Sequence, residues 1–286
     1  MLRAQERCCG VLSAPLGGAA AFQDAVVAMF ESEWRLQQRT RPLHHLAIVD
    51  DAPSEQFLYP EFLIAQQMLV RAGIEAVVLD PGELQWDGVA LRARGQEIDL
   101  VYNRLVDFTL AEDRHAALRE AYRAGAVVVT PNPHVHALRA DKRNLILLAD
   151  SDWLREAGAD AAIVTGLASI PKTIAVGADN ADDLWRSRKQ WFFKPATGYG
   201  SKAVYRGDKV TRSAWETVVA GSYVAQAYAE PGERVIDVDG APATRKVDVR
   251  LYTYDGKVLL IAARMYQGQT TNLRTPGGGF APVFVV

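Results

Sequence analysis

Apolar residues recur along this chain with two different periods, and the switches between them divide it. From Ala20 to Gln38 the period is helical: Phe22, Val26, Val27, Phe30 and Trp34 fall on one face, and Arg39 to Pro42 breaks the pattern. Residues 1–18 before it carry no period and close on Pro15, Gly17 and Gly18. Short apolar runs then alternate with helical stretches. His45–Asp50, Ala76–Asp80, Ile98–Tyr102 and Ala126–Thr130 predict buried strands, and Val89–Arg92 a short edge strand or hairpin. Ser54–Ala72, capped by Ser54 and stopped by Gly73, and Leu110–Ala124 predict helices. Apolar strands alternating with helices imply a parallel sheet covered on both faces, an α/β domain over residues 43–135.

Beyond it the pattern changes. Val135–Leu154 reads as helix, behind Pro131 and Pro133, and Gly158–Ser169 as an Ala/Gly-rich connector. Ile170–Ala175 predicts a strand, Asn180–Lys189 a helix, Trp191–Tyr205 a hairpin, Arg212–Ala220 a helix and Tyr223–Tyr228 a strand, together a small α+β unit. Arg245–Met265 reads as two long strands joined at Asp255-Gly256, a strong hairpin signal. A glycine-rich stretch, Thr275–Gly279, leads to a last short strand at Ala281–Val286. No internal repeat or low-complexity tract is present.

Composition narrows the function classes. The 286 residues suffice for two or three domains. With 49% hydrophobic and 23% charged residues the balance is that of an ordinary globular protein. The 32 basic and 34 acidic residues nearly cancel, which argues against a general nucleic-acid or membrane-surface binder but leaves room for a local cationic pocket. No apolar run reaches membrane-spanning length. The two cysteines, Cys8 and Cys9, are adjacent, which suits a reducing compartment and excludes a cysteine-based zinc site. No signal peptide is read at the N-terminus, so the expected location is the cytoplasm.

The most suggestive chemistry lies in Trp191-Phe-Phe-Lys-Pro-Ala-Thr-Gly-Tyr-Gly-Ser-Lys-Ala-Val-Tyr205. An apolar strand delivers Lys194 to its end. Gly198 and Gly200 then allow close backbone approach, and Ser201 and Lys202 add a hydroxyl and a second cation. Exposed amides beside lysines are what triphosphate oxygens require. A plain hairpin with a glycine turn is the alternative.

In order, Ile98–Arg104, Ala140-Asp-Lys-Arg-Asn144, Phe193–Gly200, Tyr223–Tyr228, Asp248-Val-Arg250 and Arg264 through Asn272 resemble the ATP-grasp superfamily, in the order of glutathione synthetase-like carboxylate–amine ligases. A Walker phosphate loop and a dinucleotide fingerprint are both absent. The resemblance implies a parallel-sheet pre-ATP-grasp domain at 43–135, after an N-terminal segment at 1–42. A helical linker follows at 136–169, then an ATP-grasp small lobe at 170–230 and a partial large lobe at 231–286. It also implies an ATP-dependent reaction in which a carboxylate is phosphorylated and an amine or thiol then displaces phosphate. Here the protein's work is positioning and charge neutralisation.

On this resemblance Lys142 and Lys194 would hold the ATP phosphates, and Thr197, Gly198, Tyr199, Gly200 and Ser201 would form the lid over them. The strand carrying Gln226, Ala227 and Tyr228 would read the adenine edge, with Glu230 and Glu233 within reach of the ribose. Arg250, Arg264 and Asn272 would face the γ-phosphate and acylphosphate, arginine's planar fork suiting paired phosphate oxygens. Asn103 and Arg104, at a parallel strand's C-terminal end, would meet the amino-acid-like substrate, with Tyr59 and Glu61 as possible companions. Each has a structural alternative: a solvated lysine for Lys142, a plain buried strand around Gln226, cross-strand salt bridges for Arg250 and Arg264.

One element of the family pattern is missing. Such ligases hold two Mg²⁺ on an Asp and a Glu-x-Asn. Here the residues two before Asn103, Asn132, Asn144, Asn180 and Asn272 are Val101, Thr130, Lys142, Ala178 and Thr270, none of them acidic. Asp248 alone is a weak metal candidate. Three explanations are open. The favoured one is that the chain is the later part of a longer protein: it resembles the C-terminal portion of circularly permuted ATP-grasp proteins related to glutathionylspermidine synthase. Otherwise another chain supplies the ligands, or the protein binds nucleotide as a non-catalytic scaffold. ATP, Mg²⁺, and small carboxylate and amine substrates are the expected ligands. Nucleic acid and membrane are not expected, and an uncovered sheet edge would favour self-association.

Overall fold

The computed structural model describes Leu2 and residues 18–200, 202–238, 240–268 and 277–283. It divides into two compact units. The first comprises 1–137, 249–263 and 281–286, and the second 138–248 and 264–280.

The first unit is built on a four-stranded parallel sheet in the order β2-β1-β6-β7, from β1 (His45–Val49), β2 (Glu75–Leu79), β6 (Leu100–Asn103) and β7 (Val128–Thr130). Side chains alternate across a strand, and both faces are apolar. Leu46, Ile48, Leu100 and Val128 pack on Phe30 and Trp34 of α1 (Gly18–Leu36) and on Phe62 and Leu69 of α2 (Tyr59–Arg71). Ala47, Val49, Val101 and Val129 face the other way, onto Leu118 and Ala121 of α3 (Ala116–Arg123) and Leu84 and Leu91. Those two leucines sit on a small antiparallel sheet of β3 (Leu84–Trp86), β4 (Leu91–Ala93) and β5 (Gln96–Glu97). This burial on both sides is why the strands read as continuous apolar runs.

Two helices begin later than periodicity suggests. The stretch predicted from Ser54 forms a 3-10 turn at Pro53–Glu55, and the regular helix starts at Tyr59 with Pro60 in its first turn. Proline lacks an N–H and clashes with the carbonyl four residues back, so it fits only there. Asp80 Oδ2 pins the turn by accepting from the Ala52 amide at 2.9 Å. Likewise α3 follows a 3-10 turn at Asp113–His115.

Helix α4 (Pro133–Arg139) runs across the unit boundary in sequence, and the second unit goes on with α5 (Asn144–Leu148), α6 (Ser151–Glu156) and α7 (Ala161–Leu167). The helical stretch expected from Val135 is broken at Asp141-Lys142 and again at Asp150, whose side chain accepts from the Asp152 and Trp153 amides at 3.0 Å and caps α6. The expected connector is α7, capped by Asp160.

Next comes an antiparallel sheet in the order β10-β9-β11-β8, from β8 (Thr173–Ala175), β9 (Trp191–Pro195), β10 (Tyr205–Arg206) and β11 (Tyr223–Ala227). One face carries Phe193, Tyr223 and Ala225 onto Leu184 of α8 (Ala181–Arg186) and Trp215 and Val218 of α9 (Arg212–Ala220). Phe193 and Trp215 meet edge to face at 5.0 Å.

A last sheet has the order β12-β13-β14-β15, from β12 (Gly232–Val238), β13 (Ala241–Tyr254), β14 (Lys257–Tyr266) and β15 (Gly279–Pro282). The hairpin of β13 and β14 turns at Asp255-Gly256 as expected, with φ of 47° and 71°. Its tip belongs to the first unit, where Tyr254 donates to Glu33 of α1 at 2.8 Å. Burial and the Glu33 carboxylate push the Tyr254 hydroxyl up to about 12. No described helix is long and apolar enough to cross a membrane.

Candidate functional site

The second unit holds a cavity of about 410 Å³ on the sheet face opposite its aromatic core. Period-two alternation puts Phe193 into that core and leaves Phe192 and Lys194 on the cavity side. The register sets Phe192 opposite Gln226, and Gln226 opposite Thr173 on β8. Lys194 therefore lies diagonal to Gln226 and donates to its Oε1 at 2.6 Å, while Gln226 Nε2 donates to Thr173 Oγ1 at 3.1 Å. Burial lowers the Lys194 pKa, and the nearby Lys142 charge lowers it further.

Lys142 arrives from the turn between α4 and α5. Its amide donates to the Ala196 carbonyl at 2.9 Å and its Nζ to the Gly198 carbonyl at 3.1 Å, so the turn is held against the loop after β9. In that loop Gly198 has φ 133° and Gly200 φ 64°, conformations that a side chain resists. Tyr199 stands between them, with Lys202 Nζ 4.9 Å from its ring centroid. Lys246 of β13 completes the cationic lining and donates to the Gly268 carbonyl at 2.6 Å. Phe192, Tyr228 and Tyr266 add aromatic surface. Four lysines line the cavity, and no Asp or Glu is among its described lining residues. A cation-rich, acid-free cavity with apolar walls suits a polyanion that also carries a flat apolar group.

Of the residues singled out from the sequence, Lys142, Lys194, Gly198, Tyr199, Gly200, Gln226, Ala227 and Tyr228 all line this cavity. Thr197 is exposed and is not part of the lining. Ser201 and Asn272 lie outside the described residues. Arg264 donates Nε and Nη2 to Asp248 at 2.7 and 2.8 Å, the cross-strand ion pair that was its structural alternative. Arg250 belongs to the first unit and is exposed. Lys246, Tyr266 and Thr173 were not anticipated. Lys246 shares strand parity with Asp248 and Arg250, so the alternation that picked out those two also points to it.

The first unit presents a second group at the C-terminal end of its parallel sheet. Asn103 is buried. Its side chain donates to the Pro131 carbonyl at 3.2 Å and accepts from the Leu105 amide at 3.1 Å, which ties the ends of β6 and β7 together. Arg104 lies over the rings of Phe62 and Tyr102, at 5.5 and 5.3 Å, and donates to the Tyr102 hydroxyl at 3.1 Å. Glu61 stands 4.0 Å from the guanidinium. Arg104 Nε is buried without a hydrogen-bond partner. Beside it, burial raises the Asp50 pKa, against the pull of the Arg104 charge.

The donor set for a divalent cation is poor. Asp248 is engaged by Arg264 through both oxygens, and among the described residues no group of three or more His, Cys, Asp or Glu is placed to hold a metal. Mg²⁺ needs several oxygen ligands in octahedral array, so these residues do not fit the pair of ions that the ATP-grasp resemblance implies.

No protein-family model matches the chain, and no curated protein matches it by sequence. Solved structures do. A glutathione synthetase-like effector from Globodera pallida, in its apo form, aligns with 92% of this chain at 10% identity and a TM-score of 0.52. The chain spans 58% of that protein's length. A protein described as a provisional gamma-glutamylcysteine synthetase from Methylobacillus flagellatus aligns with 91% of this chain and 71% of its own, at 11% identity and a TM-score of 0.55. The chain thus has a glutathione synthetase-like fold.

Proposed function

We propose that the lysine cavity of the second unit binds ATP and that the chain serves an ATP-dependent carboxylate–amine (or thiol) ligation. The observation that carries this reading is the convergence of Lys142, Lys194, Lys202 and Lys246 with the glycine loop in one cavity that has no Asp or Glu among its described lining residues. Lys142 and Lys194 hold the phosphate oxygens, and the loop from Gly198 to Lys202 covers them. The backbone of Ala227 and Tyr228 meets the adenine edge, with Phe192 and Tyr266 as walls. In the reaction so proposed, a carboxylate oxygen takes the γ-phosphoryl group and ADP leaves. The amine then attacks the acyl carbon, and the P–O group departs as phosphate. Within the first unit, Arg104 with its orphaned Nε, together with Glu61, is the candidate for contacts to an amino-acid-like substrate.

Isothermal titration with a non-hydrolysable ATP analogue tests the nucleotide site. Binding is expected, and Lys194→Ala is expected to weaken it by about tenfold or more, the scale of one charge-assisted hydrogen bond. Absence of binding, or indifference to that substitution, would remove the assignment.

A second reading, a nucleotide-binding scaffold without ligase activity, is favoured by the mutual engagement of Asp248 and Arg264. Phosphate release in the presence of mixed amino acids and polyamines separates the two: turnover supports ligation, and binding without turnover supports the scaffold.

A further inference from the structure

The cavity lysines share a feature that bears on which form of the nucleotide they accept. All four donate to neutral oxygens: Lys194 to the Gln226 amide at 2.6 Å, Lys142 to the Gly198 carbonyl at 3.1 Å, Lys246 to the Gly268 carbonyl at 2.6 Å, and Lys202 to the Tyr199 hydroxyl at 3.5 Å. Lys202 rests on the Tyr199 ring, 4.9 Å from its centroid. Neutral acceptors orient an ammonium group without cancelling its charge. The nearby carboxylates are engaged by arginines or lie outside the described cavity lining. Asp141, next to Lys142, accepts from Arg143 through both oxygens, at 3.1 and 3.0 Å from Nε. Glu233 lies opposite Lys246 in the β12–β13 register but is exposed and does not line the cavity. Asp248 is held by Arg264.

We infer that this cavity takes its polyphosphate ligand without a divalent cation, the four lysines neutralising the phosphate oxygens themselves. The inference rests on the nucleotide reading above and deepens it. A metal-free nucleoside triphosphate carries about four negative charges, and one bound Mg²⁺ cancels about two of them. Four ammonium groups whose hydrogen-bond acceptors are neutral match the free tetraanion and are over-matched to the magnesium complex. A metal also gains little here, because no carboxylate in the described lining would share its coordination sphere. Charge matching of this kind makes affinity strongly salt-dependent, because the partly open cavity is screened.

Titrate the full chain with a non-hydrolysable ATP analogue twice at equal ionic strength, once in EDTA and once in excess Mg²⁺. Expected is a Kd in EDTA equal to or tighter than that in Mg²⁺. Lys202→Gln and Lys246→Gln should each weaken the EDTA value by about fivefold while the Tm stays unchanged. A Kd in EDTA ten times weaker than in Mg²⁺ overturns this inference and leaves the nucleotide site standing. Lack of binding in both titrations removes the nucleotide site itself, and the inference with it.

Discussion

Lys194 concentrates the chemistry of the second unit in one side chain. Its ammonium group is partly desolvated, feels the Lys142 charge, and has the neutral Gln226 oxygen as its acceptor. Both influences favour the uncharged form, so its folded-state pKa lies below the ordinary lysine value. Anion binding needs the charged form. Affinity for a nucleotide is therefore expected to fall with rising pH earlier than for an exposed lysine, and Lys142→Ala to shift that fall to higher pH. The pH profile of Kd for both proteins checks this. Gln226→Ala removes the acceptor that aims Lys194, and about a fivefold loss of affinity is expected, a hydrogen bond to a charged group contributing about 1.5–3 kcal/mol at most. Gln226→Glu keeps the geometry but neutralises the lysine locally, so it is expected to raise the Lys194 pKa and still weaken anion binding. Lys194 was legible in the sequence because an apolar strand ending in lysine is unusual. Thr173 was not, because a cross-strand neighbour exists only once the register is set, whereas Lys246 had a signal in its strand parity with Asp248 and Arg250.

The hairpin of β9 and β10 shows how an element constrains a site. Gly207, just after β10, donates its amide to the Trp191 carbonyl at 2.9 Å. A Cβ at this position would lie 1.7 Å from the Arg188 carbonyl oxygen, inside any tolerable contact. Gly207→Ala is expected to displace the hairpin and cost about 2 kcal/mol or more, read as a fall in Tm with a parallel loss of nucleotide binding. Gly200→Ala is the contrasting case. Its φ is 64° but nothing lies within 4 Å of the added Cβ, so the expected effect is about 1 kcal/mol of backbone strain without a clash. The buried parallel strands were legible as apolar runs and the Asp255-Gly256 turn as a dipeptide. The starts of α2 and α3 were not: side chains distant in sequence, Asp80 among them, hold the preceding turns.

At the C-terminal end of the parallel sheet, several loops of the first unit meet in a charged network. His115 is fully buried, with Nδ1 2.9 Å from Asp107 and Nε2 3.0 Å from Asp51. Arg114 contacts Asp51 at 3.2 Å and Asp80 at 2.9 Å. Burial works against the imidazolium, but hydrogen bonds to Asp51 and Asp107 outweigh it and raise the His115 pKa. For Asp107, burial raises the pKa and is outweighed by the Glu112 amide and His115, so the net shift is downward. The signs differ. His115 contributes its full stability below its unfolded value of about 6.5 and loses it as pH rises through the raised folded value. Asp107 contributes above its unfolded value of about 3.9 and loses it as pH falls through the lowered one. A maximum in Tm is therefore expected between about pH 4 and 6.5, with a decline above it that His115→Gln abolishes. The substitution itself is expected to cost about 2 kcal/mol, because it leaves the partly buried Asp107 carboxylate without its cation while Asp51 keeps Arg114. An unchanged pH profile in that variant would count against this role of His115.

Local patterning settled much before any tertiary contact was known. The apolar runs flanked by turn residues predicted the buried strands of the first sheet, and a lysine ending an apolar strand before two glycines pointed to a candidate phosphate site, since these properties reside in short stretches of chain. The folded structure decided which distant residues meet. Strand register brought Thr173 and Gln226 to Lys194, put Lys246 into the same cavity, and gave Asp248 to Arg264. Those outcomes depend on pairings across tens of residues, which no local period encodes. They are also what left the cavity its lysines without a facing carboxylate.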